Sequence, residues 1–81
     1  MVVIYSAVWC GFCHSAKLYL DRLGVKYQDL DVEQDMANAK AAVEKSGQMG
    51  IPVIDIDGTI IVGFDKPKID QALKDKQLIP K

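Results

Sequence analysis

Cys10 and Cys13 are the two cysteines of this 81-residue chain. With Gly11 and Phe12 between them, their thiols can close a small disulfide ring by oxidation and reopen it by exchange. Exchange needs a thiolate, so one thiol must ionise below the free value of about 8.5 and reach a partner disulfide. The plain alternative is a pair of ordinary core cysteines, since free thiols are often buried. This pair, however, follows a short apolar strand-like run and opens a helix-like one. Cys10 then falls at a helix N-terminus, where unpaired N–H groups and the helix dipole favour negative charge. Cys13, about one turn further in, is expected to be less exposed. The natural division of labour is attack by Cys10 and resolution by Cys13 through a mixed disulfide.

The residues around the pair extend this reading. Gly11 allows close approach of a partner chain, and Phe12 places an apolar side chain beside the attacking sulfur. Trp9 offers a flat apolar contact for a protein substrate; packing against the loop is its other reading. His14 follows Cys13 and is expected to be a surface residue rather than a base. Lys17 is expected to be plainly solvated. Pro52 stands at the head of a strand, where a cis bond would turn the backbone groups of Ile51 outward to an extended substrate. A trans proline that merely starts the strand is the alternative. Gly63, Phe64 and Asp65 form a third loop on the same edge, with Asp65 either capping the last helix or receiving a substrate ammonium.

The elements that must position these residues follow from the periodicity. Val2–Tyr5 reads as a short central strand. From Cys10 to Leu23 the apolar positions Cys13, Ala16, Leu20 and Leu23 track one helix face, and Gly24 ends it. Residues 25–32 read as a second strand, edge-proximal because of its charges. Residues 34–46 read as a second helix with Met36, Ala39 and Val43 as its apolar stripe, closed by Gly47. Pro52–Ile56 and Thr59–Val62 flank Asp57-Gly58, a strong hairpin signal. A last helix begins near Pro67, with Ile69, Ala72 and Leu73 on one face, and residues 77–81 form a short tail expected to fray. The order β-α-β-α-β-β-α predicts an α/β domain over residues 1–81, a four-stranded mixed sheet with helices on both faces.

Composition excludes several classes. The mass of 9.0 kDa allows one modest core. Ten Lys and Arg interleave with eleven Asp and Glu, for a net charge of −1, so there is no basic stripe for nucleic acid. The apolar runs fall far short of the roughly 20 residues of a membrane helix. The N-terminal residues lack the pattern of a signal peptide, so the expected location is the cytosol. A CxxC there points to redox or metal chemistry rather than to a clip, and a four-residue loop would constrain the unfolded chain little.

The chain resembles the glutaredoxin-like redoxins of the thioredoxin superfamily. The resemblance is carried by Tyr5, by Cys10-Gly11-Phe12-Cys13 with Ala16-Lys17 behind it, by Gly50-Ile51-Pro52-Val53, and by Val62-Gly63-Phe64-Asp65. It implies a thioredoxin-like fold and a thiol-disulfide oxidoreductase, with Cys10 attacking, Cys13 resolving and Pro52 as the cis-proline. It also implies glutathione as a reducing co-substrate, with no bound cofactor.

The departures concern glutathione. Typical glutaredoxins have Pro-Tyr between the cysteines, a lysine three positions before the first, a threonine before the Val-Pro pair and two glycines before the final aspartate. Here Gly11-Phe12, Ala7, Gly50 and Val62 stand at those places. Trp9-Cys10-Gly11 is similar to thioredoxin instead, and small glutaredoxin-like electron donors of ribonucleotide reductase accept electrons from thioredoxin reductase. The expected activity is therefore dithiol reduction of protein disulfides by a monomer, with weak glutathione dependence and thioredoxin reductase as a candidate reductant. The alternatives are a glutathione-dependent glutaredoxin, an iron-sulfur cluster shared between two subunits through Cys10, and a non-catalytic interaction domain. A closed zinc site wants four ligands, and His14, adjacent to Cys13, cannot readily join the pair.

Overall fold

The computed structural model describes residues 1–78. The elements are β1 (Val2–Ser6), α1 (Gly11–Arg22), β2 (Gln28–Asp31), α2 (Met36–Ser46), β3 (Val53–Ile56), β4 (Thr59–Val62) and α3 (Lys66–Asp75). The sheet order is β2-β1-β3-β4, with β1 parallel to β2 and antiparallel to β3, and β3 antiparallel to β4. β1 is thus central and β2 lies at an edge, as their apolar and charged sequences require.

Strand alternation divides the core between the two faces of the sheet. Val2, Ile4, Ile54, Ile56 and Ile61 meet Ala16 and Leu20 of α1 and Ile69, Ala72 and Leu73 of α3 on one face. Tyr5 and Val53 meet Ala42 of α2 on the other, with Val3, Leu30 and Ile60 packed around them. The first cluster is the larger, and each fully buried Leu or Ile in it contributes about 1.5–3 kcal/mol.

Helix ends are set by local hydrogen bonds. Gly24, at φ 74°, donates to the Asp21 carbonyl while Val25 donates to that of Leu20, a Schellman closure that seats Val25 beside Leu20 in the core. This closure explains why β2 is shorter than the strand expected over residues 25–32: Val25 belongs to the helix stop, and pairing begins at Gln28. The hairpin between β3 and β4 turns on Asp57 at φ 48° and Gly58 at φ 100°, the left-handed pair that an Asp-Gly turn supplies. α3 starts at Lys66, with Pro67 in its first turn. Its end repeats the Schellman pattern: Leu78 donates to the Leu73 carbonyl and packs against the core. The fraying expected of the tail therefore does not apply to Leu78, and residues 79–81 lie outside the described residues.

The stripe expected on the second helix is corrected. Met36 is 87 % exposed and Val43 is also exposed, whereas Ala42 is the buried residue. Asp35, the N-cap, accepts from Ala37 N, which puts Met36 in the first turn, and the helix meets the sheet through small side chains. Among the described residues no helix is long and apolar enough to cross a membrane.

Under α2, Lys45 Nζ lies 2.7 Å from Asp55 Oδ2 and 5.2 Å from the centre of the Tyr5 ring. Burial pushes the Asp55 carboxyl up, but hydrogen bonds from Lys45 and the Gly58 backbone, with the Lys45 and N-terminal charges, outweigh it and hold the group below its ordinary value. A carboxylate depressed on folding adds stability above its unfolded value of about 3.9 and loses it as pH falls through the folded value. Urea unfolding at about pH 6 and about pH 2.5 should therefore show a smaller acid loss for Asp55→Asn than for the parent. Equal losses would remove Asp55 from the account.

Candidate active site

The geometry at Cys10 begins with the break between β1 and α1. Cys10 has an extended backbone and serves as the N-cap of α1; its N–H donates to the Ala7 carbonyl at 3.1 Å. Cys13 lies in the first turn, 5.2 Å away between Cα atoms, and the two sulfurs are joined as a disulfide. Cys13 N donates to Cys10 Sγ at 3.2 Å, so one of the otherwise unpaired N–H groups of the helix start points at that sulfur.

Cys13 is fully buried and Cys10 is 6 % exposed, in a small cluster with Ala7 against which Val32 and Ile51 pack. The order of exposure is the expected one, but with the ring closed Cys10 itself is nearly buried. The flanks are open instead. Trp9 is 66 % exposed, Phe12 is 70 % exposed, and Val8 between β1 and Trp9 is likewise exposed. Gly11 has no atom within 4 Å of where a Cβ would stand, so the face beside Cys10 is unobstructed.

Two further loops converge on the pair. Ile51, half-buried, packs on the cysteine cluster, and the Ile51–Pro52 bond is cis. The Pro52 carbonyl accepts from Gly63 N at 2.8 Å, which joins this loop to the one after β4. Gly63 sits at φ 81°, a left-handed conformation that favours glycine. Phe64 packs edge-on against Tyr19, with ring centres 5.9 Å apart, so it faces the core as well as the site. Phe12 and the stretch Val62–Pro67 line an open groove of about 540 Å³.

Charges around the site are mostly paired. Lys17 Nζ lies 2.9 Å from Asp29 Oδ2, and the buried Ser6 donates to the other carboxylate oxygen at 2.5 Å. Burial raises the Asp29 carboxyl, but the bonds from Ser6 and Lys17, with the charges of Lys17 and His14, hold it below its ordinary value. Lys17 is thus tied to β2 rather than plainly solvated. Its charge is paired, which leaves the helix N-terminus as the clearest source of stabilisation for a thiolate at Cys10, about 0.3–1 kcal/mol from the dipole alone. His14 is exposed, with Nε2 3.4 Å from the Val8 carbonyl oxygen. Among the described residues, no three His, Cys, Asp or Glu side chains converge as a metal site.

The sequence reading did not single out Ser6, Asp29, Ser46 or Gln48. Strand parity offered one signal, since Ser6 shares a face with Val2 and Ile4. Gln48 carried none.

A mixed four-stranded sheet, a CxxC pair at the start of its first helix and a cis-proline packed beside it define a thiol-disulfide oxidoreductase of thioredoxin-like fold. The glutaredoxin family model matches residues 2–61. An uncharacterised glutaredoxin-like 8.6 kDa protein from the rubredoxin operon of Clostridium pasteurianum is 40 % identical over 74 residues, which cover 91 % of this chain and 99 % of that protein. Among solved structures, a thioredoxin-like protein superposes with a TM-score of 0.85 at 27 % identity, covering 90 % of this chain and 100 % of the other. A buckwheat glutaredoxin in complex with glutathione gives 0.77 at 28 % identity, covering 98 % and 81 %. The chain belongs to the glutaredoxin family.

Asp65 caps α3, its side chain accepting from Lys68 N at 3.3 Å, while its ion pair with Lys68 Nζ is long at 3.9 Å and exposed. Such a pair adds little, so the cap dominates its structural role. Asp65→Ala should lower unfolding free energy by about 1 kcal/mol, and Asp65→Asn should keep most of it. Urea titration decides; equal losses would assign the effect to charge.

Proposed function

We propose that this protein reduces disulfides in protein substrates as a dithiol, with Cys10 attacking and Cys13 resolving, and with weak dependence on glutathione. The observation that carries the order of attack is the placement of Cys10 at the N-cap and of Cys13 in the sealed first turn. The Cys10 thiolate attacks one sulfur of the substrate disulfide; a mixed disulfide forms and the other substrate sulfur leaves as a thiolate. The Cys13 thiolate then attacks Cys10 Sγ, closing the Cys10–Cys13 bond and releasing the second substrate thiol. Two electrons pass to the substrate, and an external reductant restores both thiols of the protein.

Recognition falls to the open flanks. Trp9 and Phe12 supply apolar contact, Gly11 leaves room, and among the described residues no hydrogen bond takes up the Ile51 backbone beside Pro52. Gly63, Phe64 and Asp65 border the same groove. This surface suits an extended protein segment bound by a monomer in a reducing compartment such as the cytosol.

Weak glutathione use is supported by what stands around the pair. Ala7 is buried and uncharged, Gly50 carries no side chain, and Val62 stands where a glycine would open the third loop. Glutathione remains the co-substrate that the family and the buckwheat complex favour, and a thioredoxin reductase is the reductant favoured by these substitutions.

Cys10→Ser should abolish insulin reduction. Cys13→Ser should accumulate a mixed disulfide with the substrate, and failure to trap one would overturn the order of attack. Turnover with NADPH and thioredoxin reductase should exceed turnover with NADPH, glutathione reductase and glutathione. The reverse ranking would make this a conventional glutathione-dependent enzyme.

A further inference from the structure

The loop that leads into Pro52 is held by one side chain. Gln48 Nε2 donates to the Gly50 carbonyl at 2.9 Å, and Gln48 Oε1 accepts from Gly50 N at 2.5 Å. The second hydrogen of the same amide points to Ser46 Oγ at 3.2 Å. Ser46 Oγ in turn donates to the Ala42 carbonyl at 2.6 Å, on the last turn of α2. Both N–H groups of this amide and one lone pair of its oxygen are therefore used, and these bonds run from the helix end to the residue before Ile51.

Gly50 fits this arrangement for a steric reason. Its φ lies outside the left-handed region that Gly47, Gly58 and Gly63 occupy, so its backbone conformation is open to other residues. A Cβ added there would instead stand 2.6 Å from Gln48 Oε1 and 3.6 Å from Gln48 Cδ. The missing side chain at position 50 makes room for the amide.

We propose that Gln48 is a positioning and specificity residue: its amide saturates both backbone groups of Gly50 and so leaves Ile51 as the residue of this loop that pairs with an extended substrate. The amide takes the place that a neighbouring strand would have at Gly50. It ties the loop to α2 before substrate arrives, so less conformational freedom is lost on binding. The attacking sulfur is not touched, and the effect belongs to substrate binding rather than to exchange. This inference rests on the reading of Ile51 as a substrate contact.

The test is steady-state reduction of insulin, with dithiothreitol as terminal reductant, by the full chain and four variants. Gln48→Ala should raise KM about tenfold, the expected scale for losing two hydrogen bonds, with kcat within about twofold. Gln48→Glu keeps the acceptor for Gly50 N but loses the donor to its carbonyl, and should fall between. Gly50→Ala should reproduce the rise in KM by pushing the flexible amide aside. The double variant Gln48→Ala/Gly50→Ala should be no worse than either single one, because both remove one shared contact. Amide hydrogen exchange at Gly50 is the second measurement, and it should accelerate in Gln48→Ala without a change in the exchange of core amides. Unchanged Gly50 exchange would overturn the brace itself. Faster exchange with unchanged KM would keep the brace but overturn both its role in binding and the reading of Ile51. Multiplying effects in the double variant would show that the two residues act separately.

Discussion

The site depends on how α1 is pinned to the sheet. Cys13, Ala16 and Leu20 recur at helical spacing and are all fully buried; the last two pack against the β1 and β3 isoleucines. Because that stripe has no polar alternative, the helix can neither rotate nor slide without exposing it. Its N-terminus is thereby held just beyond β1, and Cys10 becomes the cap residue. The same pinning buries Cys13 and leaves the residues between the cysteines at the surface. Differential access within the pair is thus a consequence of core packing rather than of a separate device.

Around this fixed helix end the remaining parts are tied by polar contacts at the rim of the sheet. The Gly63–Pro52 bond couples the two loops on the β3 and β4 side. Asp29 joins β2 to α1 through Lys17 and to β1 through Ser6. Gln48 joins Gly50 of the pre-proline loop to Ser46 at the end of α2. Apolar burial is strong but non-directional, and these bonds supply the direction that three separate loops need to meet at one pair of sulfurs.

The chemistry and the recognition of this protein separate along the same line. Exchange between thiols and disulfides needs the cysteine pair, a helix N-terminus and an approach path, and each is present as in the glutaredoxin family. The proposed choice of reductant and substrate rests on positions 7, 11, 50 and 62, where this chain departs from the usual glutaredoxin residues. Their effect is mainly subtractive, since they remove a charge, a ring constraint, a hydroxyl and a glycine. Trp9 and Phe12 expose apolar surface beside the pair, which is the surface the proposed protein substrates would meet.

Much of this was legible in the sequence. Spacing alone placed the stripe of α1, the stop at Gly24, the Asp57-Gly58 turn and the α3 core residues, because periodicity and turn chemistry are local. It misplaced the stripe of α2, where Met36 and Val43 are large and apolar yet exposed, since Tyr5 and Val53 fill the space beneath that helix and the small side chains of Ala41 and Ala42 pack there. Lys17 read as solvated because its partner, Asp29, lies on another strand. Gln48 read as an ordinary loop residue because its bonds depend on the path of the chain toward Pro52. The amino-acid sequence by itself determined which residues do the chemistry and which element carries each, through side-chain type and short-range spacing. Only the tertiary structure decided how open Cys10 is, which charges are paired and what holds the proline loop, because burial and hydrogen bonds between distant segments exist only once the chain has closed on itself.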